Sequence, residues 1–176
     1  MPPPFRPLTI EAFADEVVAF AWTRPIFRVD MHHTFHPAHA DWRGLESVEG
    51  MWLFHTRDRC FEDIAQHVSI APDGLVWTGR DWNKVPASVG FNMNPGAFMF
   101  EAVGNFDIGN DRLQGAQRAA VIAVIDIVQR RFRLPVQALL FHREVPQTPK
   151  TCPGTGIDKG EILRAVAARR AAALAA

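Results

Sequence analysis

The stretch 139–154 constrains this chain more than any other, because it joins an apolar run to a loop that cannot be regular. Leu139, Leu140 and Phe141 lead to His142, after which Pro146, Pro149 and Pro153 follow at short intervals. Proline fixes φ and lacks an N–H, so neither a helix nor a strand ladder continues through that spacing. The expectation is a strand ending at His142, then a stiff returning loop that carries Lys150 and Cys152 and turns at Pro153-Gly154. Imidazole and thiolate both suit a borderline-soft divalent ion, and a stiff loop brings them together at little ordering cost.

A third donor is offered far upstream, where 26–30 reads as a short strand running into Met31, His32, His33 and Thr34. Alternation along a strand sends His32 and His33 to opposite sides, so at most one of them faces the His142/Cys152 turn. A His, His, Cys set leaves the fourth position of a zinc ion open, which is the catalytic rather than the structural pattern. Read singly, the same residues are ordinary: a strand-end histidine usually makes hydrogen bonds, and a lone cysteine is usually a small buried hydrophobe.

The order of the motifs adds what residue type alone does not. His32-His33-Thr34 is followed by His55, Phe61-Glu62-Asp63-Ile64, Pro72-Asp73-Gly74, Gly79-Arg80-Asp81-Trp82 and Val103-Gly104-Asn105-Phe106-Asp107. His142 and Lys150-Thr151-Cys152-Pro153-Gly154 close the series. Across about 26–154 this resembles the zinc-dependent N-acetylmuramoyl-L-alanine amidases related to phage T7-type lysozymes and peptidoglycan recognition proteins. The resemblance implies an α/β fold with a mixed central sheet flanked by helices. It also implies a Zn2+ ion held by His32, His142 and Cys152, with Lys150 near the metal. The activity implied is hydrolysis of the amide between N-acetylmuramic acid and L-alanine in peptidoglycan or a muropeptide. The alternative is a non-catalytic peptidoglycan-binding module of the same fold.

Two departures from the family pattern bear on the proton chemistry. Gln66 stands where many members carry a tyrosine or a glutamate, and Ala87-Ser88 stands where a histidine is usual. An amide cannot exchange a proton near neutral pH, although it can orient a water or a carbonyl. Either the metal site alone activates the water with Gln66 orienting it, or His67, Glu62 or Glu101 is the base. A hairpin over 65–78, turning at Pro72-Asp73-Gly74, is expected to put Gln66 and His67 at the mouth of the site. Glu101 interrupts an apolar strand over 98–103, so its carboxylate is tied to a partner, such as an arginine or a ligand histidine's second nitrogen, or it faces the cleft and moves protons.

The remaining segments read as scaffold. Thr9 caps a first helix with Ile10, Phe13, Val17 and Val18 on its apolar side. A second helix spans 47–57, with His55 packing or hydrogen-bonding near its end. The segment 113–132 is the clearest helix, with Gln117, Arg118, Asp126, Arg130 and Arg131 on the wet side. His36 and His39 are expected to face solvent or substrate rather than a metal, and 82–94 is a rim loop. A closing helix at 159–176 puts Ile162, Leu163 and Val166 on one side. One domain is expected over 1–176, with an N-terminal helical segment 1–25, a zinc-site core 26–158 and the closing helix.

Composition excludes several classes. The 176 residues include 19 basic and 19 acidic side chains and are 48% hydrophobic, which suits one globular domain and gives no charge excess for nucleic acid. No stretch is apolar enough to span a membrane, and no signal peptide is read at Met1. Synthesis in the cytoplasm is therefore expected, with action at the cell wall after release or export, or on cytoplasmic muropeptides. Cys60 and Cys152 are expected to be free thiols. No paired carboxylates at glycosidase-like positions are evident.

Overall fold

The computed structural model describes residues 1–90, 92–146 and 149–175. Phe91 of the rim loop, Gln147 and Thr148 of the proline-rich loop, and Ala176 lie outside the described residues. The strands are β1 Pro7–Leu8, β2 Arg28–His33, β3 Val68–Ile70, β4 Val76–Thr78, β5 Ala97–Ala102 and β6 Leu139–Phe141. The helices are α1 Ile10–Ala19, α2 Leu45–Leu53, α3 Gly115–Arg131 and α4 Lys159–Ala175. The six strands form one mixed sheet in the order β1-β4-β3-β5-β2-β6. The pairs β3·β5, β5·β2 and β2·β6 are parallel, whereas β1·β4 and β3·β4 are antiparallel.

Strand parity divides the sheet into a core face and a site face. Val29 and Met31 of β2, Phe98, Phe100 and Ala102 of β5, and Val68 and Ile70 of β3 are buried in one cluster with Phe13 and Val17 of α1 and with α3 and α4. The alternate residues point the other way. Register pairs Trp77 with Ser69, Ser69 with Glu101 and Glu101 with His32, so these four form a row across the opposite face. Trp77 packs there with Val48 and Met51 of α2, which covers half of that face and leaves the His32 end for a cleft.

Helix α1 starts where expected, with the Thr9 side chain accepting from the Ala12 N–H. Such a cap contributes about 1 kcal/mol. Short β1, which precedes it and which the proline-rich N-terminus conceals in the sequence, is an edge strand paired with β4. Helix α2 ends at Leu53 and continues as a π-helical turn, Phe54–Asp58, which carries His55.

Helix α3 corrects the expected wet side. Gln117 and Asp126 are each 1% exposed rather than solvated. Gln117 donates from Nε2 to the carbonyls of Ile70 and Val103 at the ends of β3 and β5, while its Oε1 lies 2.9 Å from His39 Nε2. Asp126 accepts from Arg170 Nε of α4 at 2.9 Å, with Arg130 and Arg169 nearby. A buried carboxylate is tolerable only with such partners. Those contacts, with Ile162 and Val166 buried against the core, make α4 the closing helix of the domain.

Candidate metal centre

His32 and His142 come from neighbouring parallel strands and Cys152 from the loop beyond. Met31 is paired with Phe141, so His142, one step further, stands beside His32. His142 opens a 3-10 turn, His142–Glu144, held because Glu144 Oε2 accepts from the Phe141 N–H at 2.8 Å and from Lys159 Nζ at 2.6 Å. Alternation along β2 resolves the two histidines as expected. His32 faces the turn, and His33 turns away so that its Nδ1 accepts from the Phe106 N–H at 3.3 Å.

The proline-rich loop is tied back at several points. The Arg143 N–H donates to the Cys152 carbonyl at 2.8 Å, and the Arg143 guanidinium donates to the carbonyls of Gly154 and Ile157. Asp107 receives the Thr151 hydroxyl at 3.0 Å and the Thr155 N–H at 2.9 Å. Gly154 has φ +119°, and a Cβ there would meet the Phe106 carbonyl at 2.5 Å, so only glycine allows so close a return.

The outcome is a cluster in which the donor atoms of His32, His142 and Cys152 lie within 4.8 Å of one another. His32 Nδ1 is 3.2 Å from His142 Nδ1 and 3.4 Å from Cys152 Sγ. Bonds of roughly 2.0 Å to nitrogen and 2.3 Å to sulfur in a tetrahedron put donor atoms about 3.3 to 3.5 Å apart. The spacing and the donor types therefore fit a zinc-sized ion. Protonation favours it as well: burial holds His32 well below the ordinary histidine value and lowers His142 to about 4, Lys150 adding to the effect, so both rings are neutral at pH 7. Burial pushes the Cys152 thiol up to about 12, partly opposed by the His33 N–H that donates to Sγ at 3.4 Å. A cation would reverse that, since a coordinated thiol is held as thiolate.

The cluster sits at the base of a cleft of about 500 Å³ that Glu101, Lys150, His55, Phe61 and Ser88 also line. Glu101, beside His32 in register, is partly exposed. Burial by its surroundings raises its carboxyl to about 8, against the pull of the positive charge on Lys150. Lys150 is exposed at the rim, where it acts electrostatically on Glu101, His32, His142 and Cys152. His55 accepts from the Ala65 N–H at Nδ1 and stacks on Phe61, as its packing role required. Glu62 is exposed and does not line the cleft.

Gln66 and His67 are not at the mouth of the site. Both are fully buried, because β3 begins only at Val68 and the preceding residues run beneath Met51 and the loop after β4. Gln66 Nε2 donates to Ser69 Oγ at 2.9 Å, and neither residue lines the cleft. His67 Nδ1 accepts from the Met99 N–H at 2.9 Å, which leaves Nε2–H to donate to the Lys84 carbonyl at 3.0 Å, and its ring stacks on Phe98. His67 is thus a neutral brace between β5 and the rim loop. His39, expected to face solvent or substrate, is likewise a clamp on Gln117 and Asp111, whereas His36 is exposed.

Burial and Arg24 lower His67 to about 3. Since the unfolded ring takes up a proton near 6.5, His67 contributes stability at neutral pH that is lost as pH falls from 6.5 towards 3. Replacing it with alanine is expected to cost about 2–4 kcal/mol, from the cavity and the orphaned backbone groups. Denaturant unfolding from pH 4 to 8 checks this, and zinc binding should be unaffected.

Two side chains at the site, Ser88 and Asp30, have a role that the sequence alone does not suggest. Ser88 Oγ is 2.8 Å from His32 Nε2 and donates to Asp30 Oδ2 at 2.8 Å. Asp30 lies two residues before His32, hence on the same side of the strand, and that parity was the available signal.

A six-stranded mixed sheet with a His, His, Cys donor set at its edge defines a class, and comparison with known proteins identifies the family. Residues 22–155 match the N-acetylmuramoyl-L-alanine amidase family, and the chain belongs to it. Bovine (Bos taurus) peptidoglycan recognition protein 1 is 33% identical over 101 residues, 57% of this chain and 53% of that protein. The chain spans about half the length of the curated relatives it matches. A point variant of Drosophila PGRP-LB in complex with tracheal cytotoxin superposes with a TM-score of 0.65 at 25% identity, covering 77% of this chain and 79% of that one. The Ph2119 endolysin from a Thermus scotoductus bacteriophage gives 0.64 at 26% identity, covering 85% and 90%. Among the described residues, no helix is long and apolar enough to cross a membrane.

Proposed function

We propose that this protein is a zinc-dependent amidase that hydrolyses the bond between the lactyl group of N-acetylmuramic acid and L-alanine of the peptide stem. The observation that carries this reading is the convergence of the His32, His142 and Cys152 donor atoms within 4.8 Å of one another in a cleft shared with Glu101 and Lys150. A zinc ion bound there would polarise the scissile carbonyl and lower the pKa of a water molecule. Glu101 takes the proton from the attacking water and returns it to the stem nitrogen as the C–N bond breaks, leaving a carboxylate and a free amine. Burial raises its carboxyl to about 8 in the metal-free chain, and a cation bound beside it would pull that value down and favour the carboxylate that accepts the proton. The Lys150 ammonium steadies the negative charge that develops on the carbonyl oxygen. In this reading the orienting role expected for Gln66 and the basic role considered for His67 fall away, since neither side chain lines the cleft.

The cleft continues into a groove of about 590 Å³ past Thr34, Pro37, Met51 and His55, flanked by the exposed rings of Phe35 and Phe54. Aromatic and apolar walls around a groove of that volume suit a muropeptide or glycan strand rather than a free amino acid. The tracheal cytotoxin complex of the PGRP-LB variant is consistent with such a ligand. The recognition-protein relatives also favour a second reading, a peptidoglycan-binding module without turnover.

Digestion distinguishes the two. Intact sacculi and soluble anhydro-muropeptides are each incubated with the protein, and new amino termini and reducing ends are counted. New L-alanine amino termini without new reducing ends are expected. New reducing ends would indicate a glycosidase instead, and binding without either product would leave the receptor reading. The preferred substrate of the pair tells whether the enzyme acts on the wall or on soluble fragments.

A further inference from the structure

The back of His32 is connected to a buried charge through a single hydroxyl. Its Nε2, on the side of the ring away from Cys152 and His142, lies 2.8 Å from Ser88 Oγ, which lies 2.8 Å from Asp30 Oδ2. Asp30 is fully buried and clamped by Arg28, with Nε at 2.7 Å and Nη2 at 3.2 Å. The chain of donors has one consistent direction. A carboxylate paired with a guanidinium only accepts, so the Ser88 hydroxyl proton points to Asp30 and the oxygen's lone pairs are left to accept from His32. His32 must then carry its single proton on Nε2, which leaves Nδ1 bare and directed at Cys152 Sγ and His142 Nδ1.

Ser88 is itself held in place. Asn94 Oδ1 accepts from the N–H groups of Ser88, Val89 and Gly90 at 3.2, 2.8 and 3.0 Å, and Arg28 donates to the Met93 carbonyl. The rim loop is therefore pinned to β2 at both ends of the relay, and the hydroxyl meets His32 without ordering on demand.

We infer that Ser88, backed by Asp30 and Arg28, is a positioning residue that fixes the tautomer and the ring orientation of His32 for metal binding. The inference rests on the metal reading above. It gives the serine that stands in place of the usual histidine a definite task, performed through His32 rather than on substrate. Outer partners of this kind typically change metal affinity 10- to 100-fold.

The test uses Ser88→Ala and Ser88→Thr in the full chain, with two readouts. Zinc affinity is measured by competition with a chromophoric chelator, and the His32 tautomer by long-range proton–nitrogen NMR of the metal-free protein. The alanine variant is expected to bind zinc roughly 10- to 100-fold more weakly and to show mixed His32 tautomers. The threonine variant, which keeps the hydroxyl, is expected to match the parent in both. Parental affinity and an unmixed Nε2–H tautomer in Ser88→Ala would overturn the relay, as would a threonine variant no better than alanine. A parent chain that binds no zinc would overturn the metal reading instead, and the tautomer of the metal-free protein would then decide the relay alone.

Discussion

Cys152→Ser is expected to abolish amide hydrolysis and to weaken zinc binding well beyond the 10- to 100-fold that loss of an outer partner costs, while the protein stays folded. In the proposed centre sulfur would supply one of three donors, and a neutral hydroxyl would replace a soft thiolate with a poor ligand for zinc. The loop does not depend on the sulfur for its shape. Arg143 holds the carbonyls of Gly154 and Ile157, and Asp107 holds Thr151 and Thr155, all of which persist in the variant. The serine oxygen also remains an acceptor for the His33 N–H. Thermal unfolding without metal should therefore be close to that of the parent. With saturating zinc only the parent should gain stability, because a ligand that binds the native state alone raises its melting temperature.

Glu101→Gln is expected to lower the rate by roughly 10²- to 10⁴-fold at unchanged zinc content, the range for loss of a general acid–base group. Stability should move the other way. The carboxyl is raised to about 8 in the folded metal-free chain from 4.5, so between those values the native state holds a proton that the unfolded chain has released. Stability attributable to Glu101 is thus present below 4.5 and declines as pH rises towards 8. The glutamine variant loses that slope and should be at least as stable as the metal-free parent at pH 8. Measuring kcat/KM against pH beside denaturant unfolding checks both. A large rate loss accompanied by destabilisation would point to a structural role for Glu101 instead.

Local pattern carried far in this chain, and it failed where distant partners decide. Alternation alone separated His32 from His33, and three prolines were enough to read a returning loop with Cys152 in it. The same reasoning put Gln66 and His67 at the cleft as part of a hairpin over 65–78. Their burial comes from α2 and from the rim loop, through Met51 and Lys84, which no window around residue 66 contains. Gln117 and Asp126 looked solvated on a helical wheel, whereas the strand-end carbonyls and α4 claim them from 47 and 44 residues away. Ser88 was noted only as a departure from a family pattern. Its role depends on Asp30, 58 residues earlier, and is visible only once the rim loop folds back over β2. The row Trp77, Ser69, Glu101, His32 needed the strand order, which the sequence does not state.

The most direct measurement of the central claim is the metal content of freshly purified, unchelated protein, with the parent beside Cys152→Ser and absorption spectroscopy at the zinc edge. The account predicts about one zinc per parent chain, with two nitrogen ligands at roughly 2.0 Å and one sulfur at roughly 2.3 Å, and little zinc in the variant. A parent chain without zinc, or one whose zinc has no sulfur ligand and is kept by Cys152→Ser, would contradict it.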